Sequence, residues 1–269
     1  MSARPDGEAM VANGPSGGLP SNVLGIAASC HVGDVDSAAR AVISRGLAGA
    51  GGYVCLCNVH LVTLSLHDTA LRRALGAAWK RLPDGAPVAW LQRRLGHSDA
   101  RRIGGPDLMP RVADLGREQD LRHFLLGSTG EVLRGVESAL RSRYDGVQIA
   151  GSYSPPFAAS ASRDASAIEV VRAAAPHVVW CALGAPKQEL WMHRFAPTLP
   201  NVLFLGVGAA FDFLAQTKPR APRWMQARGL EWLHRLGSEP TRLGARYLRT
   251  NTEFIVRSGF ELTRRQVAA

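Results

Sequence analysis

The chain has 269 residues, of which 46% are hydrophobic, and it carries a formal net charge of +10. This length allows a sizeable core, and no run of about 18 apolar residues is present that would span a membrane. The first twenty residues are rich in Gly, Pro and Ser and lack the apolar segment of a signal peptide, so residues 1–20 are predicted to be a disordered lead-in.

Short apolar runs alternate with segments of helical periodicity along residues 21–216. The runs are Val23–Ile26, Tyr53–Cys57, His123–Leu126, Val147–Ala150, Val178–Leu183 and Val202–Leu205. Helices are predicted at Ser37–Leu47 behind an Asp36 cap, at Glu131–Tyr144 behind Thr129, and at Lys187–Phe195 behind Pro186. Apolar strands followed by helices are typical of a parallel sheet covered on both faces. We therefore predict an α/β, Rossmann-like core that binds ligands beyond the carboxyl ends of its strands.

Two polar residues follow the run Tyr53–Cys57. Asn58 and His60 could hydrogen-bond sugar hydroxyls at the crevice, or they could form an Asx-type turn and a helix cap, and the sequence leaves both interpretations open. Cys55 and Cys57 share one face of the same strand, and His60 is their only candidate partner for a metal ion. No metal site is therefore predicted.

An Asp-Gly turn signal follows in Leu82-Pro83-Asp84-Gly85. If a short strand ends just before it, the Asp84 carboxylate lies at the crevice and could act as a general base toward a hydroxyl. Arg102 could then bind a phosphate or a carboxylate. The alternatives are an ordinary turn at Asp84 and a solvated surface side chain at Arg102.

Two glycine-containing segments, Gly184–Glu189 and Gly206–Phe213, follow the last two apolar runs. The first opens a helix, whose N-terminus suits an anionic ligand. The second allows a backbone to approach a ligand closely, and Asp212 could bind a ribose or a base, or could simply cap a helix. Neither segment is a Walker loop or a dinucleotide fingerprint, but together they favour a nucleotide site. The candidates are Gly184, Pro186, Lys187, Gln188, Glu189, Gly206, Gly208 and Asp212.

Residues 217–269 form a basic segment with helical periodicity. From Lys218 to Arg265 there are eleven Lys or Arg and four Glu, so this span carries +7 of the net charge of +10. Aromatic and aliphatic residues, including Trp224 and Trp232, are interleaved with the charges. We predict a basic helical appendage that suits an anionic membrane, a lipid pyrophosphate or a nucleic acid.

Taken in order, these segments resemble the WecG/TagA/CpsF family of glycosyltransferases. The resemblance covers about residues 22–250. Its most specific pieces are Asn58-Val59-His60, Pro83-Asp84-Gly85, Arg102-Ile103-x-Gly105-x-Asp107-Leu108, Leu183-Gly184-Ala185-Pro186-Lys187-Gln188-Glu189, Gly206-Val207-Gly208-Ala209-Ala210-Phe211-Asp212-Phe213, Arg220-Ala221-Pro222-x-Trp224 and Gly229-Leu230-Glu231-Trp232. Family members often carry Thr at the position of Leu56, so this chain has no hydroxyl group at that position to contact the donor sugar.

The resemblance implies a metal-independent, inverting transferase that uses no cofactor. It implies transfer from a UDP-sugar to a glycan on polyprenyl pyrophosphate, in surface polysaccharide synthesis at the cytoplasmic face of the cell membrane. Asp84 would be the general base, Arg102 and Gln188 would contact donor or acceptor, and Asn58 would lie near the sugar. Asp212 and its preceding glycines would hold the uridine, and the appendage would dock on the membrane. The residues that would bind the pyrophosphate are Arg220, Arg223, Arg235 and Arg242.

Two other interpretations compete with this one. A pI of about 10.3 and the arginine-rich appendage are compatible with a non-enzymatic nucleic-acid-binding protein. Against it, Glu231, Glu239 and the tryptophans recur in an ordered helical pattern and no nucleic-acid motif is present, so no nucleic-acid partner is predicted. A nucleotide-sugar epimerase is disfavoured because the dinucleotide fingerprint is missing. Self-association could cover a face left exposed by the appendage.

Overall fold

The computed structural model describes residues 18–156 and 161–267, and its centre is a six-stranded sheet. All neighbouring strands are parallel, in the order β2-β1-β6-β5-β3-β4. The predicted α/β, Rossmann-like class is therefore confirmed. The strands are β1 (Gly52–Cys57), β2 (Lys80–Pro83), β3 (Arg122–Gly127), β4 (Gln148–Tyr153), β5 (Val178–Ala182) and β6 (Leu203–Gly206).

Helices occupy most of the rest of the described chain. In chain order they are α1 (Val23–Ala28), α2 (Val35–Leu47), α3 (Val59–His67), α4 (Thr69–Ala77), α5 (Ala86–Arg94), α6 (Gly105–Gly116), α7 (Gly130–Arg143), α8 (Ala161–Ala174), α9 (Lys187–Phe195), α10 (Ala210–Leu214), α11 (Arg223–Ala227), α12 (Glu231–Ser238) and α13 (Pro240–Val267).

Helices cover both faces of the sheet, and since successive side chains of a strand point to opposite sides, the central strands contribute to a core on each face. In β1, Tyr53, Cys55 and Cys57 belong to a core shared with α1, α3, α4, α8 and α9. Val54 and Leu56 belong to the second core, which α2, α6, α7 and α10 cover. The continuous apolar runs of the sequence reflect these two cores.

The strand register brings the predicted site segments to one edge of the sheet. Cys57 of β1 is paired with Pro83 of β2, and Gly206 of β6 lies between Cys55 of β1 and Cys181 of β5. In a parallel sheet the carboxyl ends of the strands face the same edge. The residues that follow β1, β2, β5 and β6 are therefore neighbours.

Two local predictions were wrong. The run Val23–Ile26 is helix α1 and not a strand, and Asn22 caps it by accepting a hydrogen bond from the Gly25 N–H at 2.6 Å. A run of four apolar residues has no periodicity that separates strand from helix. The cap of α2 is Asp34, not Asp36, and its Oδ1 accepts a hydrogen bond from the Ser37 N–H at 2.8 Å.

The basic C-terminal segment is helical, as predicted, and its last helix lies against the core. Phe254 of α13 is 3% exposed and packs in the core of α1 and α3. The Glu261 carboxylate accepts hydrogen bonds from the backbone N–H groups of Val23 and Leu24 at 3.1 and 2.8 Å. None of the described helices has both the length and the apolar character needed to cross a membrane.

Candidate active site

Asp84 lies at the carboxyl edge of the sheet, directly after β2. Its N–H donates to the Cys57 carbonyl at 3.0 Å, which continues the pairing of β2 with β1 by one residue. Gly85 has a φ of 96°, a left-handed conformation that favours glycine, and it turns the chain into α5. The general-base prediction for Asp84 required a short strand that ends just before it. That strand is β2, and it places the Asp84 carboxyl group at the carboxyl edge of the sheet.

Asn58 is held beside Asp84 and also caps a helix. Its Oδ1 accepts a hydrogen bond from the Leu61 N–H at 3.0 Å, which fixes the start of α3. The same side chain hydrogen-bonds to the Asp84 carboxyl group. The helix cap is thus Asn58 and not His60, which lies in the first turn of the same helix.

The surroundings of Asp84 give its carboxyl group a pKa close to neutrality. Burial raises the pKa from its ordinary value of 3.8 to about 6, and the charge of Glu231 acts in the same direction. The cations of Arg102 and Arg235 and the hydrogen bond from Asn58 oppose this rise. A carboxyl group with such a pKa can take up a proton from a substrate near physiological pH.

Two arginines and two carboxylates form a closed set of ion pairs next to Asp84. Arg102 contacts Asp107 at 2.7 Å and Glu231 at 2.6 Å, and Arg220 contacts the same two carboxylates at 2.7 and 3.3 Å. All four side chains are between 14% and 30% exposed. This set, called here the ion-pair ring, joins α6 of the core to α12.

Gly104, which has no side chain, lies between Asp84 and the ion-pair ring. A methyl group on Gly104 would lie 3.2 Å from Asp84 Oδ1, 3.6 Å from Arg102 Nη1 and 3.7 Å from Asp107 Oδ2. Gly104 has an extended φ of −101°, which any residue adopts, so its backbone conformation does not require glycine. Its lack of a side chain lets the Asp84 carboxyl group and the Arg102 guanidinium group approach the backbone closely.

Gln188 and Glu189 lie on the other side of the crevice, in the first turn of α9. Gln188 Nε2 donates to Glu189 Oε1 at 2.8 Å, and the two residues are 3% and 0% exposed. Burial raises the pKa of Glu189 from 4.5 to about 7. Gly184 has a φ of 82° in the turn before α9, and its carbonyl accepts the Gln188 N–H at 3.0 Å.

The remaining predicted site residues lie around Asp84 and the ion-pair ring, and each has its own partners. The Asp212 carboxylate faces Lys218 Nζ at 3.4 Å, and Lys218 also contacts Glu239 at 2.9 Å. Arg235 lies with its guanidinium carbon 5.8 Å from the centre of the Phe213 ring. The exposed candidates are Lys187 at the start of α9 and Arg223 at the start of α11, and the side chain of Arg242 is outside what the structure describes.

Three residues next to Asp84 were not among the predicted site residues: Asp107, Glu231 and Gly104. Asp107 and Glu231 stand inside the quoted motifs, but two of the four ion pairs, Arg102 with Glu231 and Arg220 with Asp107, join residues more than a hundred positions apart in sequence. Gly104 carried only the weak signal of a Gly-Gly pair. In the described ranges, no three or more His, Cys, Asp or Glu side chains are grouped so that they could hold a metal ion.

Comparisons with known proteins place the chain in one family. Residues 21–267 match the family described as "Glycosyl transferase WecG/TagA/CpsF family". The chain is 31% identical over 192 residues to the N-acetylglucosaminyldiphosphoundecaprenol N-acetyl-beta-D-mannosaminyltransferase of Bacillus subtilis (strain 168), an alignment that covers 71% of this chain and 73% of that protein. These matches favour the transferase interpretation over the nucleic-acid-binding and epimerase alternatives. The chain belongs to the WecG/TagA/CpsF family of glycosyltransferases.

Proposed function

We propose that this protein moves a sugar from a UDP-sugar to a glycan carried on polyprenyl diphosphate, with inversion and without a metal ion. The observation that carries the proposal is the Asp84 carboxyl group at the carboxyl edge of the sheet, with a pKa of about 6, beside the Arg102 guanidinium group and the bare α-carbon of Gly104. The name of the Bacillus subtilis relative describes an acceptor of the same class, a sugar on diphosphoundecaprenol. The activity belongs to the synthesis of surface polysaccharides.

In the proposed reaction Asp84 acts as a general base. The Asp84 carboxylate takes the proton of an acceptor hydroxyl group, whose oxygen attacks the anomeric carbon of the donor from the side opposite to UDP. The new C–O bond forms as the bond from the sugar to UDP breaks, and UDP leaves with the electron pair. One base is sufficient for this single displacement.

Arginines stabilise the charge of the departing diphosphate. Arg102 and Arg220 are held next to Asp84, with the carboxylate oxygens of Asp107 and Glu231 as their partners. Diphosphate oxygens have the same charge and the same accepting geometry as these carboxylates, so they take their place when substrate binds. Fixed cations aimed at a leaving group lower the barrier most when charge develops there. Arg223, Arg235 and Arg242 are proposed to contact the diphosphate of the lipid acceptor.

The donor nucleotide is proposed to lie against the two glycine segments of β5 and β6. Gly206 is covered by Met192 and Gln188, whereas Gly208 is half-buried and has only Gln188 near its α-carbon. The N-terminus of α9 is proposed to direct N–H groups toward the phosphates. Asp212 would exchange Lys218 for a ribose hydroxyl. Pro186, Lys187, His60 and Asn58 complete the rim of this donor site.

The outer face of α13 is proposed to lie on the anionic inner face of the cell membrane. Its apolar side chains Leu248, Ile255, Val256, Phe260 and Val267 are between 62% and 86% exposed. Arg249, Arg257, Arg264 and Arg265 are exposed on the same helix. Each cation near an anionic leaflet contributes about 1 kcal/mol, so the protein would bind there reversibly without spanning the bilayer. Self-association is the competing way to cover this face.

The proposal is tested with purified protein, a short-chain polyprenyl-diphosphate-linked N-acetylglucosamine and a panel of UDP-sugars. The panel contains UDP-N-acetylmannosamine, UDP-glucose and UDP-glucuronic acid, and the buffer contains EDTA. UDP release that depends on both acceptor and one donor is the expected result, and the same reaction with Asp84→Asn is expected to show none. Transfer that requires an added divalent cation, or no UDP release with any donor, would contradict the proposal.

A further inference from the structure

The two carboxylates of the ion-pair ring differ in how firmly they are anchored. Asp107 lies in the first turn of α6, where the helix dipole favours a negative charge, and its N–H donates to the Gly104 carbonyl at 3.1 Å. The next two residues, Leu108 and Met109, are fully buried. Asp107 is therefore a fixed part of the core.

Glu231 is anchored more loosely, because the helix that carries it is not buried. It is the first of the eight residues of α12, and none of the eight is buried. Its neighbours Trp232 and Leu233 are 40% and 46% exposed. A movement of α12 would uncover only side chains that are already partly exposed, so the cost in apolar burial is small. The ion pairs of Glu231 are thus a main contact of α12 with the core.

Glu231 occupies the two arginines of the ring in the way that an anionic ligand would. Its Oε2 accepts a hydrogen bond from Arg102 Nη1 at 2.6 Å, and its Oε1 accepts one from Arg220 Nε at 3.3 Å. Two oxygens of one acidic group thus contact two guanidinium groups, which the oxygens of a diphosphate can also do. With Glu231 in place the ring has two positive and two negative charges, and without it one positive charge is left for an anion.

We propose that Glu231 is an internal competitor of the substrate diphosphate: it occupies Arg102 and Arg220 in the free protein and leaves them when a diphosphate binds. Asp107 remains the partner of both arginines throughout. This inference rests on the proposed function and adds an autoinhibitory contact to it. The apparent affinity for a diphosphate is then reduced by the fraction of molecules in which Glu231 still holds the arginines.

Two variants of Glu231 test the competition. Glu231→Gln keeps the size of the side chain but removes its charge, so we expect it to bind UDP about tenfold more tightly than wild type. Glu231→Ala, which has no side-chain acceptor, should bind UDP at least as tightly as Glu231→Gln. Uridine has no phosphate, so its affinity should be equal for wild type and both variants.

Glu253→Gln is the matched control, because it removes the same charge from a neighbouring helix. Glu253 lies on α13 and pairs with Arg257 and with His67, the last residue of α3. Neither partner belongs to the ion-pair ring. The UDP affinity of Glu253→Gln should therefore equal that of wild type, which separates competition at the arginines from a change in net charge.

The measurement is titration calorimetry with UDP, uridine and a short-chain polyprenyl-diphosphate-linked N-acetylglucosamine, with circular dichroism of each variant. A gain confined to UDP assigns the arginines to the donor, and a gain confined to the lipid-linked sugar assigns them to the acceptor. If the folded variants bind both diphosphates with wild-type affinity or more weakly, Glu231 only joins α12 to the core and the competition is overturned. An equal gain for uridine would also overturn it. If neither wild type nor the variants bind UDP or the lipid-linked sugar, the proposed function fails together with the inference.

Discussion

Replacement of Asp84 by Asn should stabilise the protein while it abolishes transfer. The folded-state pKa of about 6 exceeds the ordinary value of 3.8, so folding favours the protonated carboxyl group. This favourable contribution is complete below pH 3.8 and is lost as the pH rises through 6. At pH 8 the ionised Asp84 therefore lowers the free energy of unfolding by up to about 3 kcal/mol, at 1.36 kcal/mol per pH unit.

Asparagine does not ionise and resembles the protonated carboxyl group in shape, so it avoids that cost. The stability gain of Asp84→Asn should be about 3 kcal/mol at pH 8 and about 0.5 kcal/mol at pH 4. Because Asp84 is partly exposed, the figure at pH 8 is an upper bound. For a chain of this size the gain corresponds to a rise in Tm of about 6 °C at pH 8.

The assay is thermal unfolding of wild type and Asp84→Asn at both pH values, together with UDP release at pH 8. Asp114→Asn serves as a control, since Asp114 lies in α6 and pairs with Arg111 away from the crevice. Equal melting temperatures for wild type and Asp84→Asn at pH 8 would refute the argument that Asp84 is costly to ionise. If Asp84→Asn is more stable than wild type but transfers sugar equally well, Asp84 is costly to ionise but is not the general base.

Two further predictions concern the helix cap and the outer face of α13. Asn58→Ala should cost about 1 kcal/mol of stability through the lost cap and, because the Asn58 hydrogen bond lowers the pKa of Asp84, should move the acidic limb of the kcat/KM profile to higher pH. An unshifted limb in a folded variant would contradict this coupling. Ile255→Glu with Phe260→Glu should release the protein from vesicles that contain anionic lipid, measured by flotation, whereas Val170→Glu on α8 should not. If the double variant still floats with the vesicles, the outer face of α13 is not the membrane-binding surface.

The sheet and its polar edge were predictable because they depend on local patterns. Apolar runs bounded by glycine identified β1 and β3 to β6, and the Asp-Gly turn located the end of β2 next to Asp84. Strand parallelism then required these segments to share an edge. The exception was Val23–Ile26, whose burial against α3 and α13 makes it apolar without making it a strand.

The polar partners within the site were not predictable from the same patterns. Charge counts indicated a basic appendage with seven excess positive charges, yet Lys218, Arg220 and Arg257 of this segment are paired with acids. Asp107 and Glu231 become neighbours only when α12 packs beside α6. The hydrogen bond between Gln188 and Glu189 likewise depends on a burial that their position in a helical first turn does not reveal.

Leu56 shows how the fold constrains the choice of sugar. Family members often have Thr at this position, and in this chain the leucine is 5% exposed and belongs to the core that contains Leu82 and Ile103. Residues 55 and 57 face the opposite core, so the alternation of β1 leaves no hydroxyl group of that strand at the crevice. Discrimination between donor sugars must then come from groups that follow the strands. The described candidates are the Asn58 amide and the backbone at Gly104. A Gly104→Ala variant, whose methyl group would lie 3.2 Å from Asp84 Oδ1 without straining the backbone, should therefore lower transfer from every UDP-sugar, whereas Leu56→Thr should mainly lower stability.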